Sequence, residues 1–597
     1  MNKTLKKLTA ILLCFCLFFS VATPVFAAGD TDVTESVTQT PEHIEEMEQK
    51  ANIYSSILQF LVNDVVLKLI SKVIPHLSFI QDRDEANIGN YGTFYEGNDV
   101  FLDTDSDNYT WRLGYSSKSI IPDDFGKMFK YARGSYAPWG YATEMYKDDE
   151  GNDEDLKVRT IILDDKTGRG LTVFASVDCI GLSNTDVAKI RSALSDFAKE
   201  KGIISINISA IHTHMSIDSQ GVWNAPLTTV ANNFASLAGV TVTKSGVNDD
   251  YLNTIIDRTK QAVEEAYDDM TDGSLTYSSI NLRKYFNCRN VPYELDGNMY
   301  RLMFVPNDGS ESTLIASFGC HPEVTSYDAE FDTRLSADFV YYMEKLINQA
   351  GSNFMYIQGN VGTNSGNYNH SNDGLSLDGH GKAIRYGYEM AYILMSMTNS
   401  TEERIALNNK LGDKLGVNGE RSENYTPWYE GLETAKEEKV AAVLNIKSKQ
   451  VELEMENSTS QILIKLGLAS NSIFYDSTTR KYYTITEIAY MELGDSVKVL
   501  MCPGETYSEI LVGGYGIENF GYPSLRELFG DNVILFDLMN DAAGYICPDH
   551  TYSVVGYKYD PKSDSLKQDS WCLTVSIGKN TASTLVKNYI ELVGSVR

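Results

Sequence analysis

One stretch decides the fold of this chain: Ile203-Ile204-Ser205-Ile206-Asn207-Ile208-Ser209-Ala210-Ile211-His212-Thr213-His214-Met215-Ser216. Isoleucine alternates with small polar residues over Ile204, Ile206 and Ile208, which is the period of a β-strand with one buried face. Two histidines follow at the expected end of that strand. If the strand continues to His214, both imidazoles project from the same face, which suits a metal ligand beside a second imidazole that polarises a substrate. Two strand-end histidines with structural hydrogen bonds are the alternative.

The elements before this stretch predict a parallel α/β unit. A hairpin of two strands, Val158 to Leu163 and Leu171 to Asp178, precedes a helix over Thr185 to Lys199 that is N-capped near Ser183. This strand, helix, strand order implies a right-handed parallel crossover. The candidate site then lies at the carboxyl end of the strand, where open α/β sheets bind ligands. Strands and helices continue to alternate along the chain, so we expect an α/β fold of mixed β-sheets covered by helices.

Later predicted strands also end in residues that can bind a metal. The strand Thr313 to Phe318 leads into Gly-Cys-His-Pro at His321, and the strand Ser496 to Met501 leads into Cys-Pro-Gly-Glu at Glu505. Tyr545 follows in a later segment. Each residue alone has an ordinary alternative: a structural hydrogen bond for His321, a capped turn for Glu505, and chance in a Tyr-rich protein for Tyr545.

The first residues predict export. Three lysines precede an apolar run from Leu8 to Val21, and Val25-Phe26-Ala27 supplies small residues for a cleavage site. We therefore expect a signal peptide over residues 1–27 and a secreted, extracellular or cell-surface protein. The apolar run is short for a membrane span, so a permanent anchor is not expected.

The composition argues against some classes of function. The formal net charge is −30, from 51 basic and 81 acidic residues, so a nucleic-acid partner is not expected. The six cysteines after the predicted signal peptide are too few and too scattered for a disulfide scaffold. Buried thiols, or one or two incidental bridges, are expected instead.

Residues 28–108 are predicted to form an N-terminal linker and helical segment, ahead of the main domain over 109–597. A helix over His43 to Ile74 carries a wide apolar face. Packing against the body of the protein, or an inserted helical hairpin, is one interpretation. An interfacial helix that touches lipid is the other, and Asp64 and Lys68 within the helix argue against it.

In their order along the chain, His212 with His214, His321, Glu505 and Tyr545 resemble the motifs of the neutral/alkaline, non-lysosomal ceramidase family. In that family a His-Thr-His-Ser motif, a later histidine that closes a strand, a Pro-Gly-Glu motif and a tyrosine hold one zinc ion. The resemblance therefore implies His212, His321, Glu505 and Tyr545 as metal ligands. Two imidazoles, a carboxylate and a phenol also form a nitrogen and oxygen site that suits Zn²⁺.

The same resemblance implies roles for four further residues. His214 matches a second histidine that stabilises an oxyanion or shuttles a proton. Ser365 stands in Gly-Thr-Asn-Ser-Gly-Asn, which is similar to the family's Gly-Asp-Val-Ser-Pro-Asn turn, and would be a nucleophile or a substrate anchor. Arg289 is similar to an arginine that binds the polar head of the substrate, and Tyr552 to a second site tyrosine.

Three positions depart from the family's pattern: Thr363 replaces an aspartate, Gly366 a proline and Met215 a serine. These changes affect the local turn geometry and the choice of substrate. Characterised ceramidases also carry a C-terminal immunoglobulin-like domain, whereas only a short stretch follows Tyr545 here. The helix predicted near the N-terminus is an addition to the pattern.

The resemblance implies a secreted, zinc-dependent amidohydrolase that cleaves the N-acyl amide of ceramide-like lipids to a fatty acid and a sphingoid base. The expected partners are a lipid amide substrate and, transiently, a membrane surface. A hydrolase of another amide or ester, or a catalytically inactive secreted binding protein on the same fold, are the alternatives. The sequence leaves open whether Ser365 or zinc-bound water attacks, and it leaves the oligomeric state open.

Overall fold

The structure is a computed structural model that describes residues 40–73, 80–83, 91–104, 108–127, 130–134, 141–221, 247–326, 333–368, 377–398, 435–467, 469–514, 520–552, 557–568 and 575–597. The signal peptide predicted over 1–27 lies outside the described residues, as does Cys572. The cysteines that are described after the predicted signal peptide are all free thiols: Cys179, Cys288, Cys320, Cys502 and Cys547.

The α-helices of the described residues, in chain order, are α1 Pro41–Gln59, α2 Lys68–Val73, α3 Asn184–Lys201, α4 Asp249–Asp268, α5 Phe339–Gln349, α6 Gly379–Ser396, α7 Ser458–Lys465, α8 Ser508–Val512, α9 Leu525–Phe529 and α10 Thr581–Val596. A π-helical stretch, Phe60–Leu67, joins α1 to α2. Short 3₁₀ turns lie at Arg283–Tyr285, Val324–Ser326 and Asp549–Thr551.

The strands are β1 Gln81–Asp82, β2 Thr110–Ser119, β3 Glu144–Met145, β4 Lys157–Asp164, β5 Leu171–Val177, β6 Ile203–Ala210, β7 Thr271–Asn281, β8 Phe286–Cys288, β9 Asn298–Pro306, β10 Ser312–Phe318, β11 Arg334–Leu335, β12 Ser352–Gln358, β13 Asn364–Gly366, β14 Glu438–Lys439, β15 Leu444–Glu454, β16 Phe474–Asp476, β17 Lys481–Leu493, β18 Val497–Met501, β19 Glu505–Thr506, β20 Ile534–Phe536, β21 Tyr545–Ile546, β22 Tyr557–Asp560 and β23 Ser565–Gln568.

Two large sheets form the body of the described molecule. The larger has nine strands in the order β12-β10-β9-β7-β2-β4-β5-β6, with β14 paired to β7. The smaller has six strands in the order β1-β16-β17-β18-β20, with β15 paired to β17. Both sheets mix parallel and antiparallel pairs, so the predicted α/β fold of mixed sheets covered by helices is confirmed.

The two sheets pack face to face, and helices cover their outer faces. Trp111 and Phe174 of the larger sheet share one buried cluster with Met491 and Val499 of the smaller sheet. Helices α3 to α6 bury their apolar faces on the other side of the larger sheet, and α10 covers the smaller sheet. Because strand side chains alternate between faces, each sheet supplies two cores, and four α/β/β/α layers result.

The predicted crossover is present and leads to the candidate site. The side chain of Ser183 accepts a hydrogen bond from the backbone N–H of Asp186 at the start of α3, and Gly202 ends that helix with a positive φ of 71°. The next strand, β6, pairs with β5 in parallel. Ile206 and Ile208 face the core under α3, as the period of two predicted, whereas Ile204 is only partly buried. The polar residues between the isoleucines are also buried, so β6 is covered on both faces and not on one as expected.

The helix predicted over His43 to Ile74 is present from Pro41 to Val73, with the π-helical stretch in its middle. It begins at Thr40, whose side chain accepts a hydrogen bond from the His43 N–H. It packs against the β22–β23 hairpin and against α7. Among the described helices it is also the one that is long and apolar enough to cross a membrane. The boundary predicted at 108/109 stays a prediction.

Candidate metal centre

His212 lies in a sharp turn after β6. The strand ends at Ala210, so it does not continue to His214, and the shared strand face expected from such a continuation does not form. Instead His212 takes a positive φ of 70°, a conformation that costs free energy in a residue with a side chain and is concentrated at functional sites. Its backbone N–H donates to Cys179 O at 3.0 Å, and its Nδ1 lies 2.6 Å from Ile180 O.

His321 is oriented in the same way after β10. Its Nδ1 lies 2.7 Å from the carbonyl oxygen of Asn364, in the turn that carries Ser365. Because a carbonyl oxygen can only accept, both His212 and His321 carry their proton on Nδ1 and present the lone pair of Nε2. This second hydrogen bond is the usual way in which proteins orient a metal-binding histidine.

Glu505 and Tyr545 are brought together by two short parallel strands. Glu505 in β19 is the register partner of Tyr545 in β21. Glu505 Oε2 lies 3.2 Å from Nε2 of His212 and 3.3 Å from Nε2 of His321. The hydroxyl of Tyr545 lies 3.5 Å from Nε2 of His321. The four ligands predicted from the sequence therefore surround one point, although 333 positions separate the first from the last.

The pKa values of the residues around this point are strongly shifted. Burial lowers the pKa of His321 to about 4. Burial also opposes charge on His212, but the adjacent Glu505 carboxylate outweighs it and raises the pKa of His212. Burial would raise the pKa of Glu505, but the two histidines outweigh it and hold that pKa well below its usual range. The buried Glu505 charge therefore requires a positive partner beside it.

The donor set fits a metal ion. Glu505 Oε2 is buried and, among the described residues, has no hydrogen bond of acceptable geometry, although two imidazole nitrogens face it. His212, His214 and His321 are buried, and their ring nitrogens lie within 4.8 Å of one another. When the imidazoles are neutral, their Nε2 lone pairs and the Glu505 carboxylate converge on one point, as a divalent cation needs. Imidazole, carboxylate and phenol oxygen suit Zn²⁺.

His214 belongs to the same cluster. Its Nε2 lies 3.3 Å from Nε2 of His212, and the two rings meet edge to face with centroids 4.8 Å apart. Burial, reinforced by the neighbouring histidines, holds the pKa of His214 well below its ordinary value. A neutral imidazole at this position can bind the metal or exchange a proton with a substrate.

Gln358, which the sequence reading did not single out, holds two of the ligand turns together. It ends β12 and is fully buried. Its side-chain Nε2 donates to Ile211 O at 2.8 Å and to Cys320 O at 3.0 Å, the residues directly before His212 and His321. Its Oε1 accepts from Tyr356 and from the Cys320 N–H. The amide thus fixes the separation of the two histidine turns.

Asp537 similarly joins the turn after Glu505 to the Gly-rich turn that precedes Ser365. Its Oδ2 accepts from the N–H groups of Val361 and Thr506, each at 2.9 Å, and its Oδ1 accepts from the Thr506 hydroxyl. Thr506 follows Glu505, and Val361 lies in the Gly-rich turn before Ser365. Neither Asp537 nor Gln358 has a local sequence signal, because their partners lie far away along the chain.

The structure resembles solved ceramidases. The crystal structure of neutral ceramidase from Pseudomonas aeruginosa matches 81% of this chain and 74% of that chain, with a TM-score of 0.53 and 14% sequence identity. A structure of a ceramidase complexed with C2 matches 81% of this chain and 75% of its own, with a TM-score of 0.53 and 13% identity. The fold is that of neutral ceramidase. No family model and no curated protein matches the sequence.

Within this ceramidase fold, the three departures from the family's motifs are accommodated locally. The hydroxyl of Thr363 donates to Ser508 at 3.0 Å and accepts from the Ser508 N–H. Gly366 packs against the ring of Tyr368, where an added Cβ would approach ring atoms to 2.5 Å. The sulfur of Met215 accepts from the Arg133 guanidinium at 2.8 Å. Each replacement is therefore part of a packed turn.

Ser365 and Arg289 both lie beside the cluster of His212, His214 and His321. Ser365 forms a backbone bridge with His321, and β13 pairs with β8 so that Ser365 is opposite Asn287. Arg289 follows β8, forms an ion pair with the buried Glu323, and lowers the pKa values of the cluster histidines through its charge. The structure thus brings both residues close to the histidine cluster, and the roles predicted for them stay predictions.

Tyr552 lies in a different environment. Its ring packs against Leu67, Ile462 and Leu466, between the N-terminal helix and α7. Its buried hydroxyl has no hydrogen-bond partner among the described residues, and burial raises its pKa. The described contacts of the histidine cluster do not include this tyrosine, so its predicted role at the site stays a prediction.

Proposed function

We propose that this protein is a secreted, zinc-dependent amidohydrolase that cleaves the N-acyl amide of ceramide-like lipids. The observation that carries the proposal is the convergence of His212, His321 and Glu505, with nitrogen to oxygen distances of 3.2 and 3.3 Å, on a ceramidase fold. Tyr545 completes a set of four donors. Oε2 of Glu505 is buried without a hydrogen bond among the described residues, and a bound cation would satisfy it.

The donor set defines the chemistry. A zinc ion held by His212, His321, Glu505 and Tyr545 would act as a Lewis acid on an amide carbonyl and would lower the pKa of a water molecule. Hydrolysis adds the elements of water across the C–N bond, so the acyl group leaves as a carboxylic acid and the sphingoid base as an amine. One proton must reach the nitrogen during this reaction.

The chain's own residues supply the remaining steps. His214 is neutral and its Nε2 faces the cluster, so it stabilises the developing oxyanion or carries the proton to the amine. Ser365 lies on the His321 side of the cluster and serves as nucleophile or anchors the substrate. Arg289 presents a partly exposed guanidinium held by Glu323, which suits hydroxyl groups of a polar lipid head.

The substrate class rests on the fold neighbours. They are ceramidases by name, and one is complexed with C2. Export is proposed from the basic and apolar segment over residues 1–27, which lies outside the described residues.

The test combines metal analysis with turnover of a fluorescent ceramide. Purified protein is expected to contain one zinc per chain, and chelation should abolish ceramide cleavage until zinc is returned. His321→Ala is expected to lose both zinc and turnover. If the protein contained zinc and cleaved another amide or ester but no ceramide, the assigned substrate class would be wrong and the assigned metal site would stand. The enzyme assignment would be overturned if the folded wild-type protein contained no metal and if the His321→Ala variant bound a ligand as tightly as the wild type.

A further inference from the structure

The N-terminal helix turns a large apolar surface away from the protein. Eight of its large apolar side chains are between 45% and 63% exposed: Ile53, Tyr54, Ile57, Phe60, Leu61, Val65, Val66 and Leu69. Elsewhere in the described chain, exposed large apolar side chains are few and scattered. Scattered exposure is ordinary, whereas a continuous apolar surface marks contact with another apolar phase. We call these eight side chains the outer face of the helix.

The opposite side of the helix is attached to the body by polar contacts. Ser55 donates to Tyr557 O at 2.9 Å, and Asn63 Oδ1 accepts from the Ser458 N–H at 3.3 Å. Ser71 donates to Gln461, and its carbonyl accepts from the buried Lys465 ammonium at 2.8 Å. The π-helical stretch has a wider turn, which keeps residues four apart, Asn63, Leu67 and Ser71, on the body side.

These attachments exclude a helix that crosses a membrane while it stays on the body. They are spread from Ser55 to Ser71, about 24 Å along the axis, so the helix lies flat on the protein over that length. A helix that is long, apolar on its outer side and flat on a protein is suited to lie in the plane of a bilayer surface.

Charge decides between a bilayer and a second copy of the chain. Each copy carries a formal net charge of −30, so pairing two outer faces would bring two strongly acidic bodies together. An anionic lipid surface would be repelled for the same reason. A neutral, zwitterionic bilayer offers apolar area without this repulsion. Two exposed charged residues lie among the apolar side chains of the outer face. Asp64 accepts a hydrogen bond from Asn63, and the long stem of Lys68 lets its ammonium reach the head groups of a bilayer.

The helix also adjoins the wall of the candidate metal centre. Its first half packs on β22, where Lys558 lies over the ring of Tyr507, and Tyr507 in turn meets the ring of Tyr545 edge to face. Its second half contacts Tyr552 through Leu67. The helix itself, β22 and Tyr507 therefore lie between a bilayer at the outer face and the proposed metal ligand Tyr545.

We propose that the outer face of the Pro41–Val73 helix docks the protein on the surface of a neutral bilayer and brings the metal centre to lipid substrates. The binding to a bilayer is inferred from the helix alone, whereas the delivery of the metal centre to lipid substrates rests on the proposed function. Because apolar burial drives it, binding to phosphatidylcholine vesicles should be insensitive to salt and should weaken when anionic lipid is added.

The test is flotation of the purified full chain with phosphatidylcholine vesicles. The wild type is expected to float with the vesicles at both low and high salt. The triple variant Phe60→Ser, Leu61→Ser, Leu69→Ser should lose roughly tenfold or more of its partitioning, since it removes three large apolar side chains from the outer face. A matched control, Val100→Ser, Val305→Ser, Ile590→Ser, removes exposed apolar side chains elsewhere and should float like the wild type.

Several outcomes would overturn the docking proposal. One is that the wild type does not float with neutral vesicles, and another is that the triple variant floats like the control. The third is that the wild type binds no vesicles but forms a concentration-dependent dimer, and that the triple variant does not form this dimer. A second readout separates this proposal from the proposed function. If the triple variant cleaves a soluble short-chain amide normally but a vesicle-embedded one poorly, both stand. Flotation without any amide cleavage would leave docking intact and overturn only the proposed function.

Discussion

The side-chain amide of Gln358 donates to the carbonyl oxygen of Ile211 across 2.8 Å, and so joins the end of β12 to the turn that carries His212. The same nitrogen reaches Cys320 O, before His321. Two imidazoles that are contributed by distant parts of the chain are therefore set at a fixed separation by one fully buried amide. Residues that orient metal ligands in this way normally affect metal affinity as well as stability.

Gln358→Leu tests this relationship. The substitution keeps similar volume but leaves buried carbonyls unpaired, so it should weaken zinc binding about 10- to 100-fold and lower the free energy of unfolding by about 2 kcal/mol or more. Zinc competition and urea unfolding measure the two effects. The control is Gln450→Leu, which removes hydrogen bonds to Tyr91 far from the cluster and should cost stability alone. Equal zinc affinities for both variants would contradict the positioning role.

The two histidines of the His-Thr-His motif should separate in function. His212→Ala removes a nitrogen that faces Glu505, so the purified variant should contain no zinc. His214→Gln should keep zinc and lose about 10²- to 10⁴-fold in kcat, the usual worth of a positioned acid or base. Metal content and turnover are measured on the same samples. His43→Ala, at a surface contact with Asp564, serves as the control. Loss of zinc from His214→Gln would make His214 a ligand.

Ser365→Ala distinguishes a nucleophile from an anchor. Ser365 forms its bridge to His321 through the backbone, so the substitution should leave the zinc content unchanged. We expect kcat to fall about 10²-fold or more, because the hydroxyl acts next to the reacting carbonyl. A rise in KM with unchanged kcat would indicate an anchor that binds ground state and transition state equally. An unchanged rate and KM would remove Ser365 from the mechanism.

Local patterns predicted most of the elements around the site. The alternating isoleucines of β6, the Ser183 cap and the glycine at 202 are readable because each depends on neighbours within a few residues. The helix α3 and the strands β4 and β5 therefore match their predicted bounds to within two residues, whereas β6 ends at Ala210 and does not continue to His214. The four predicted ligands were inferred from the order of motifs, and the structure brings these four residues together.

Long-range features could not be predicted. The positive φ of His212 follows from contacts with Cys179 and Ile180, and the residue type gives no hint of it. Gln358 and Asp537 act through partners more than a hundred residues away or on separate turns. The outward direction of the apolar face of the N-terminal helix depends on which side meets the body. A pattern of 3.6 residues shows that a face exists but not what covers it.

A buried ion pair behind the site predicts a pH dependence of stability. Arg159 binds Glu344 at 2.8 Å and Asp178 at 2.6 Å, and Asp178 precedes the loop that orients His212. Burial would raise the pKa of Glu344, but Arg159 and Lys157 outweigh it and lower that pKa to about 2. A depressed carboxyl pKa stabilises the folded protein above the ordinary value of 4.5, and this contribution is lost as the pH falls toward 2.

Glu344→Gln should therefore lower the free energy of unfolding by about 3 kcal/mol at neutral pH. The difference from the wild type should shrink progressively below pH 4.5. Denaturant unfolding at a series of pH values measures it. Glu591→Gln, in an exposed pair with Lys449, should leave the unfolding curve unchanged at every pH. A difference that is independent of pH would mean that the substitution acts through packing.

Zinc itself should stabilise the fold, because the folded chain presents four assembled ligands that the unfolded chain does not. A ligand that binds only the folded state at a hundred times its Kd stabilises by about 2.7 kcal/mol. The thermal unfolding temperature of metal-free protein should therefore rise with added zinc and stay constant with added magnesium, which prefers oxygen ligands. His321→Ala should show no rise, because it removes one of the two nitrogens that face Glu505. An equal rise in wild type and His321→Ala would place the zinc elsewhere on this acidic protein.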